Sequence, residues 1–192
     1  MRFLPLFLLV FVSACSGYRW QDKSNPWAEK GYHKVYVSIM LNNSLRSGAE
    51  VPFTSAFVRA FSRGNKLRVV SDEGDADILV NANLDNIASE IISSTRVVDI
   101  TKDASAEALS DVMVATDYIA KASVTVRFVT KKTNETLIEQ KFERSKIYQG
   151  NNRFGKLGTT SALINDSQFQ VALNEVARSI AADAYDTMLE SF

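Results

Sequence analysis

The run Ala120-Lys121-Ala122-Ser123-Val124-Thr125-Val126-Arg127-Phe128 decides the fold. Ala120, Ala122, Val124, Val126 and Phe128 fall on one side of an extended chain; Lys121, Ser123, Thr125 and Arg127 fall on the other. Successive side chains of a strand point to opposite faces, so this alternation predicts a strand with one dry and one wet side. Lys131 to Asn134 supplies a turn, and Thr136 to Tyr148 is the predicted hairpin partner.

Upstream, Ile78, Val80, Ala82 and Leu84 repeat the same period, and the break in parity at Ile91-Ile92 predicts a β-bulge. The stretch from Ser89 to Met113 reads either as strand or as loop, with Thr101 to Asp111 polar enough for a loop. Lys66 to Val70 is a short strand. His33 to Met40 is another, with Val35, Val37 and Ile39 expected on its dry side. Between these two lies a helix. Phe53, Ala56, Phe57, Ala60 and Phe61 recur at helical spacing, Pro52 fits a first turn, and Gly64-Asn65 tolerates the left-handed conformation that closes a helix. Asn and Gly in Gln149 to Thr160 predict a loop. Asp166 or Ser167 is then expected to cap a last helix, whose stripe is Phe169, Leu173, Val176, Ile180 and Ala184 with Ala172 and Ala177 beside it. The order is strand, helix, short strand, long strand, long hairpin, helix. Burying every stripe at once predicts an α+β two-layer sandwich: one mixed or antiparallel sheet of about four to five strands with two helices on one face. Lys121, Arg127 and their neighbours are left on the other face, in water or against a partner.

The 192 residues are 46% hydrophobic and 23% charged, which suits one globular domain with a sizeable core. Bases and acids both number 22, so the basic excess that nucleic-acid binding needs is missing. One His and one Cys exclude a multi-residue Cys/His zinc site and an intrachain disulfide framework.

Met1-Arg2 is a positive start, and Phe3 to Val12 is apolar apart from Pro5. That is too short for a membrane-crossing helix and right for a secretory signal. Val12-Ser13-Ala14-Cys15 resembles the lipobox of bacterial lipoproteins. The resemblance implies cleavage before Cys15 and acylation of its thiol and new amino end with fatty chains such as palmitate. Several acyl chains exceed the two-signal threshold for stable anchoring. Ser16, in place of the Asp typical of inner-membrane retention, implies sorting to the outer membrane. The expected organisation is a signal peptide over 1–14, a lipidated tether over 15–31 and a single domain over 32–192. Trp20 and Trp27 in the tether either pack on the domain or lie at the lipid interface.

Zero net charge conceals blocks. Ser71 to Ile119 carries eleven acids against two bases, and Ala120 to Lys156 carries nine bases against three acids. A charge run of this kind is either a solvated face or the contact for an anionic partner such as a phosphate-bearing lipid. Lys121, Arg127, Lys131 and Lys132 are the candidate contacts.

No catalytic or cofactor motif survives inspection. Gly150 to Lys156 has P-loop spacing, but Leu157 stands where Ser or Thr must hold Mg²⁺. His33 has no Ser or Asp at a suggestive spacing. Asp72-Glu73-Gly74-Asp75-Ala76-Asp77 lacks the twelve-residue loop and closing Glu of an EF-hand, and reads as a solvated turn. Asn42-Asn43-Ser44 and Asn134-Glu135-Thr136 match the glycosylation pattern by coincidence. No metal, cofactor or catalytic residue is expected.

The chain resembles the LptE family of lipopolysaccharide-assembly lipoproteins. The likeness lies in the Cys15-Ser16-Gly17-Tyr18-Arg19 opening, in Val35-Tyr36-Val37-Ser38-Ile39 leading to Asn42-Asn43-Ser44, and in the Phe53 to Phe61 helix. It continues through Arg68-Val69-Val70 with Ala76-Asp77-Ile78-Leu79-Val80, the Ser123 to Phe128 strand, the Thr133 to Leu137 turn, Phe142 and the Phe169 to Leu189 helix. What it implies is a non-enzymatic outer-membrane lipoprotein facing the periplasm. It would plug and help assemble an LptD-type β-barrel, and would contact lipopolysaccharide on its way to the surface. CsgG-type secretion lipoproteins and LpoB-type activators of peptidoglycan synthases share several of these motifs. An accessory role at such a synthase or secretion channel is therefore the alternative.

Overall fold

The computed structural model describes residues 25–98, 111–150 and 159–191. In chain order the elements are α1 (Pro26–Glu29), β1 (Lys34–Val37), β2 (Leu41–Asn42), α2 (Glu50–Arg63), β3 (Arg68–Val69), a 3-10 turn (Glu73–Asp75), β4 (Ile78–Val98), β5 (Asp111–Thr130), β6 (Thr136–Gln149) and α3 (Thr159–Glu190). The sheet order is β3-β1-β4-β5-β6, with β2 pairing to β4 beyond the end of β1. β1 runs parallel to β3 and β4; the β4–β5 and β5–β6 pairs are antiparallel. This is the expected mixed sheet, one strand wider than expected if β2 is counted.

Both helices lie on the face made by Val35, Ile78, Val80, Leu84, Val124, Val126 and Phe128, each of them fully buried. From α2, Phe53, Phe57 and Phe61 enter this core; from α3, Leu173, Val176, Ile180 and Met188 do. Each such side chain contributes about 1.5–3 kcal/mol of burial. Phe61 links the layers, with its ring 6.1 Å from that of Phe128 and edge-on to Tyr185 at 5.3 Å. The helices run the same way. Arg46, just before α2, pairs with Asp166 of α3 at 2.6 Å, and at the other end Gly64 meets Tyr185 of α3.

Two local expectations, the inward Ile39 and the helix start at Asp166 or Ser167, need correcting, and two others become specific. After Val37 the chain leaves the two-residue period, so Ile39 is 74% exposed and Met40 turns inward instead, its N–H held by Thr54 Oγ1 at 3.1 Å. Asn65, with φ 57°, takes the left-handed conformation at the end of α2, whereas Gly64 stays helical at φ −68°. The last helix begins at Thr159, upstream of Asp166 and Ser167. Thr159 to Asn165 contains no Gly or Pro to stop it, and Asp166 binds Arg46 rather than capping. The ambiguous stretch is mostly strand: β4 reaches Val98 and β5 begins at Asp111, with residues 99–110 outside those described. Register shifts fall at Leu84/Asn86, at Ile91/Ser93, where the bulge was expected, and at Ser93/Ser94.

These long strands outrun the helices. The β5–β6 ladder stops at the Asp117–Gln149 pair, followed by one bond from the Gly150 N–H to the Thr116 carbonyl, and beyond it Ser94–Val98 and Asp111–Ala115 pair as a two-stranded ribbon at one end. At the opposite end the N-terminal segment docks. Asn25 caps α1 and donates to the Lys66 carbonyl. Trp27 is fully buried, and its Nε1 donates to the Met188 carbonyl at 3.1 Å. Of the tether expected over 15–31, residues 25–31 thus belong to the packed body; 15–24, with Trp20, lie outside the described residues. Among the described residues no helix is long and apolar enough to cross a membrane.

Candidate functional site

The open face of the sheet is where the hairpin presents its polar half. Across β4, β5 and β6 the register gives the rows Asn81–Arg127–Glu139, Asn83–Thr125–Lys141, Asn86–Ser123–Glu143 and Ala88–Lys121–Ser145. Paired residues point the same way, so the alternation in sequence becomes a polar grid. Thr125 Oγ1 donates to Asp85 at 2.7 Å, where the bulge brings an extra carboxylate onto this face. Ser38 Oγ donates to Asn81 Oδ1 at 2.7 Å. Ser123 Oγ is buried without a hydrogen-bond partner. A shallow groove of about 510 Å³ runs over Asn86, Lys121, Ser123, Glu143 and Ser145.

The four candidate lipid contacts are spread along the hairpin. Lys121 and Arg127 share the open face six residues apart, about 20 Å, and Lys131 and Lys132 sit at the turn beyond. Three of them face carboxylates: Lys121 with Glu90 at 2.6 Å, Arg127 with Glu139 at 3.0 Å and Lys131 with Glu73 at 2.5 Å. Lys132 is exposed and makes no ion pair among the described residues. The rest of the basic block is paired as well. Lys141 binds Glu143 at 2.9 Å, an interaction that raises the lysine pKa and lowers that of the glutamate. Arg144 and Lys146 point to the helix side and clasp Asp183 and Glu175 of α3 at 2.8 and 2.7 Å. The hydrogen bond from Lys146 is the main cause of a lowered Glu175 pKa. Arg153 and Lys156 lie outside the described residues. The sequence showed the bases of this hairpin but not their partners, since Glu73 and Glu90 come from distant segments.

The acidic turn is structural. Asp72 Oδ1 accepts from the Gly74 N–H at 2.8 Å, Glu73 holds Lys131, and Asp77 Oδ2 accepts from the N–H groups of His33 and Lys34 at 2.9 and 3.0 Å. Asn42 is structural too, donating to the Arg46 carbonyl at 2.8 Å and to Glu50 at 2.7 Å. Among the described residues no group of His, Cys, Asp and Glu is placed to hold a metal ion. Cys15 and most of the P-loop-like run lie outside those residues.

A family model described as "LptE: Lipopolysaccharide-assembly" matches residues 32–188. No curated protein matches by sequence. Solved structures of similar shape include rare lipoprotein B from Shewanella oneidensis, at 15% identity and TM-score 0.44 over 81% of this chain and 93% of that one. Others are a minor lipoprotein from Acinetobacter baumannii, at 8% and 0.42 over 83% and 97%, and a protein from Xanthomonas campestris, at 9% and 0.48 over 83% and 85%. Likeness at this level carries no argument about ligand or partner. The family match, by contrast, spans every strand and nearly all of both long helices, so the chain belongs to the LptE lipopolysaccharide-assembly family.

Proposed function

We propose that the protein is a lipid-anchored, non-enzymatic subunit of the outer-membrane lipopolysaccharide machinery, seated in an LptD-type β-barrel and facing the periplasm. Membership of a non-enzymatic lipoprotein family carries the general reading. The supporting observation for the finer one is the polarity of the body from end to end. The chain enters beside the C-terminal ends of α2 and α3, and the β4–β5 ribbon projects from the other end. An acylated Cys15 would hold the first end at the membrane and leave the ribbon free to reach into a barrel. The exposed sheet face is a polar grid, which suits a polar barrel lumen.

In this reading Lys121, Arg127, Lys131 and Lys132 contact lipopolysaccharide phosphates. Exposed ion pairs are worth only about 0–1 kcal/mol each, so a phosphate can exchange for the carboxylates that now face these bases. Affinity purification of the acylated protein from solubilised outer membrane is expected to recover an LptD-type barrel in near one-to-one yield. Recovery of a peptidoglycan synthase or a secretion channel instead would establish the accessory role. Replacing the four bases by Gln should weaken binding to purified lipopolysaccharide; unchanged affinity would mark the block as a solvated, internally paired face.

A further inference from the structure

We propose that the groove between the outer sides of α2 and α3 binds the phosphate of a membrane phospholipid head group. Arg59 and Arg63 stand one turn apart on α2, Arg178 on α3 faces them, and the three line a cavity of about 500 Å³. Its lining also includes Ala60 and Ala182, whose small side chains leave room beside the arginines, and Asp186.

The hairpin bases are matched by carboxylates almost one for one, whereas these three arginines are not. Among the described residues none of them makes an ion pair within 4 Å, although Arg178 is near enough to Glu175 to help lower its pKa. All three are exposed. Guanidinium groups that line one groove without a directly paired carboxylate are suited to bidentate capture of a phosphate. Asp186 gives a hydroxyl or amine on the head group something to bind.

The position of the groove selects the source of the phosphate. It lies at the end of the helix layer where the chain enters, with Gly64 and Tyr185 on its wall and Asn25 bonded to the Lys66 carbonyl close by. Ten residue steps separate Cys15 from Asn25, a reach of at most about 35 Å. The inference rests on the reading of Cys15 as an acylated anchor, because that anchor keeps the groove within a short radius of the bilayer surface.

The test uses the full-length, acylated protein in nonionic detergent, titrated with dihexanoylphosphatidylglycerol and followed by native mass spectrometry. Saturable one-to-one binding is expected, with dihexanoylglycerol, which lacks the phosphate, binding at least about tenfold more weakly. Arg59→Gln/Arg63→Gln/Arg178→Gln should weaken the phosphatidylglycerol complex about tenfold or more, and Lys141→Gln, at a base paired with Glu143 on the sheet and remote from the groove, should leave it unchanged. If the triple variant melts early, Arg59→Gln and Arg178→Gln singly carry the test, each with a several-fold loss. Equal binding by wild type and arginine variants overturns the inference, and so does equal binding of the phosphate-free lipid. Displacement of the lipid by an equimolar hexaglutamate peptide also overturns it and assigns the groove to an acidic protein segment. The intact mass of the same sample reports the anchor independently. An unmodified Cys15 defeats the anchoring argument, while an acylated chain that ignores the lipid defeats this inference alone.

Discussion

Replacing Gly64 by Ala probes the contact that joins the two helices. At φ −68° the glycine sits in a conformation that any residue adopts. Elsewhere that would make Gly→Ala stabilising by about 0.4–1 kcal/mol through the unfolded chain. Here an added Cβ would lie 1.9 Å from Tyr185 Cζ and 2.4 Å from Cε2, deep inside van der Waals contact with a ring rather than with a flexible tip. The ring must leave. Its hydroxyl then loses the 2.7 Å bond to the Gly64 carbonyl, about 1 kcal/mol. Its edge-on contact with Phe61 goes too, about 0.5–1.5 kcal/mol. Part of its burial is lost as well, about 1–2 kcal/mol. Offset by the unfolded-state gain, the net is a loss of about 1.5–4 kcal/mol, or a melting temperature lower by about 3–16 °C for a chain of this size. Urea unfolding of wild type, Gly64→Ala, Tyr185→Ala and the double variant forms a cycle. In the Tyr185→Ala background the Gly64→Ala cost should vanish or reverse sign. A Gly64→Ala protein as stable as wild type would refute the reasoning, because no ring would then have been displaced.

Trp27→Phe keeps most of the ring and removes the Nε1 bond to Met188, so it should cost about 1 kcal/mol in urea unfolding; Trp27→Ala should cost about 3–5 kcal/mol. If both were neutral, residues 25–31 would be shown to be undocked in solution. Asp77→Ala strips two backbone N–H groups of their acceptor where β1 begins and should cost about 1–3 kcal/mol; hydrogen exchange at His33 and Lys34 should rise with it, and unchanged exchange would contradict the assignment. Glu143 and Glu175 have folded pKa values held below the ordinary carboxylate range by Lys141 and Lys146. A depressed folded pKa contributes stability above the unfolded value, near 4.3, and that stability disappears as pH falls through the folded one. In melts from pH 6 to pH 3, Glu175→Gln should therefore flatten part of the acid-induced drop; identical slopes would show that the pair adds nothing.

Strand identity was legible wherever one face is dry. Ile78 to Leu84 and Ala120 to Phe128 alternate in sequence because helices cover one side of them and water the other, and all their dry-side residues are buried. The α2 stripe was legible for the same reason. Legibility ended where that asymmetry ends. From Glu90 to Ser94 residues of both parities are exposed, so that stretch of β4 carries no hydrophobic period, and Ile91 and Ile92 sit exposed around a bulge. The upstream part of α3 was missed because its first turns precede the buried stripe. Of the candidate site, the sequence showed the bases of the hairpin and nothing of the carboxylates that meet them.

Residue order alone determined the main strands, the two helical stripes and the layered α+β class of this chain. Those properties follow from composition and from short-range periods that any segment carries by itself. Tertiary structure decided which charges remain uncompensated. Lys121, Arg127 and Lys131 meet carboxylates 31, 12 and 58 residues away in the chain, while Arg59, Arg63 and Arg178 line one groove with no ion pair within 4 Å among the described residues. Electrostatic compensation depends on distance through space, and only the packing of α3 beside α2 and the long register of the hairpin set those distances.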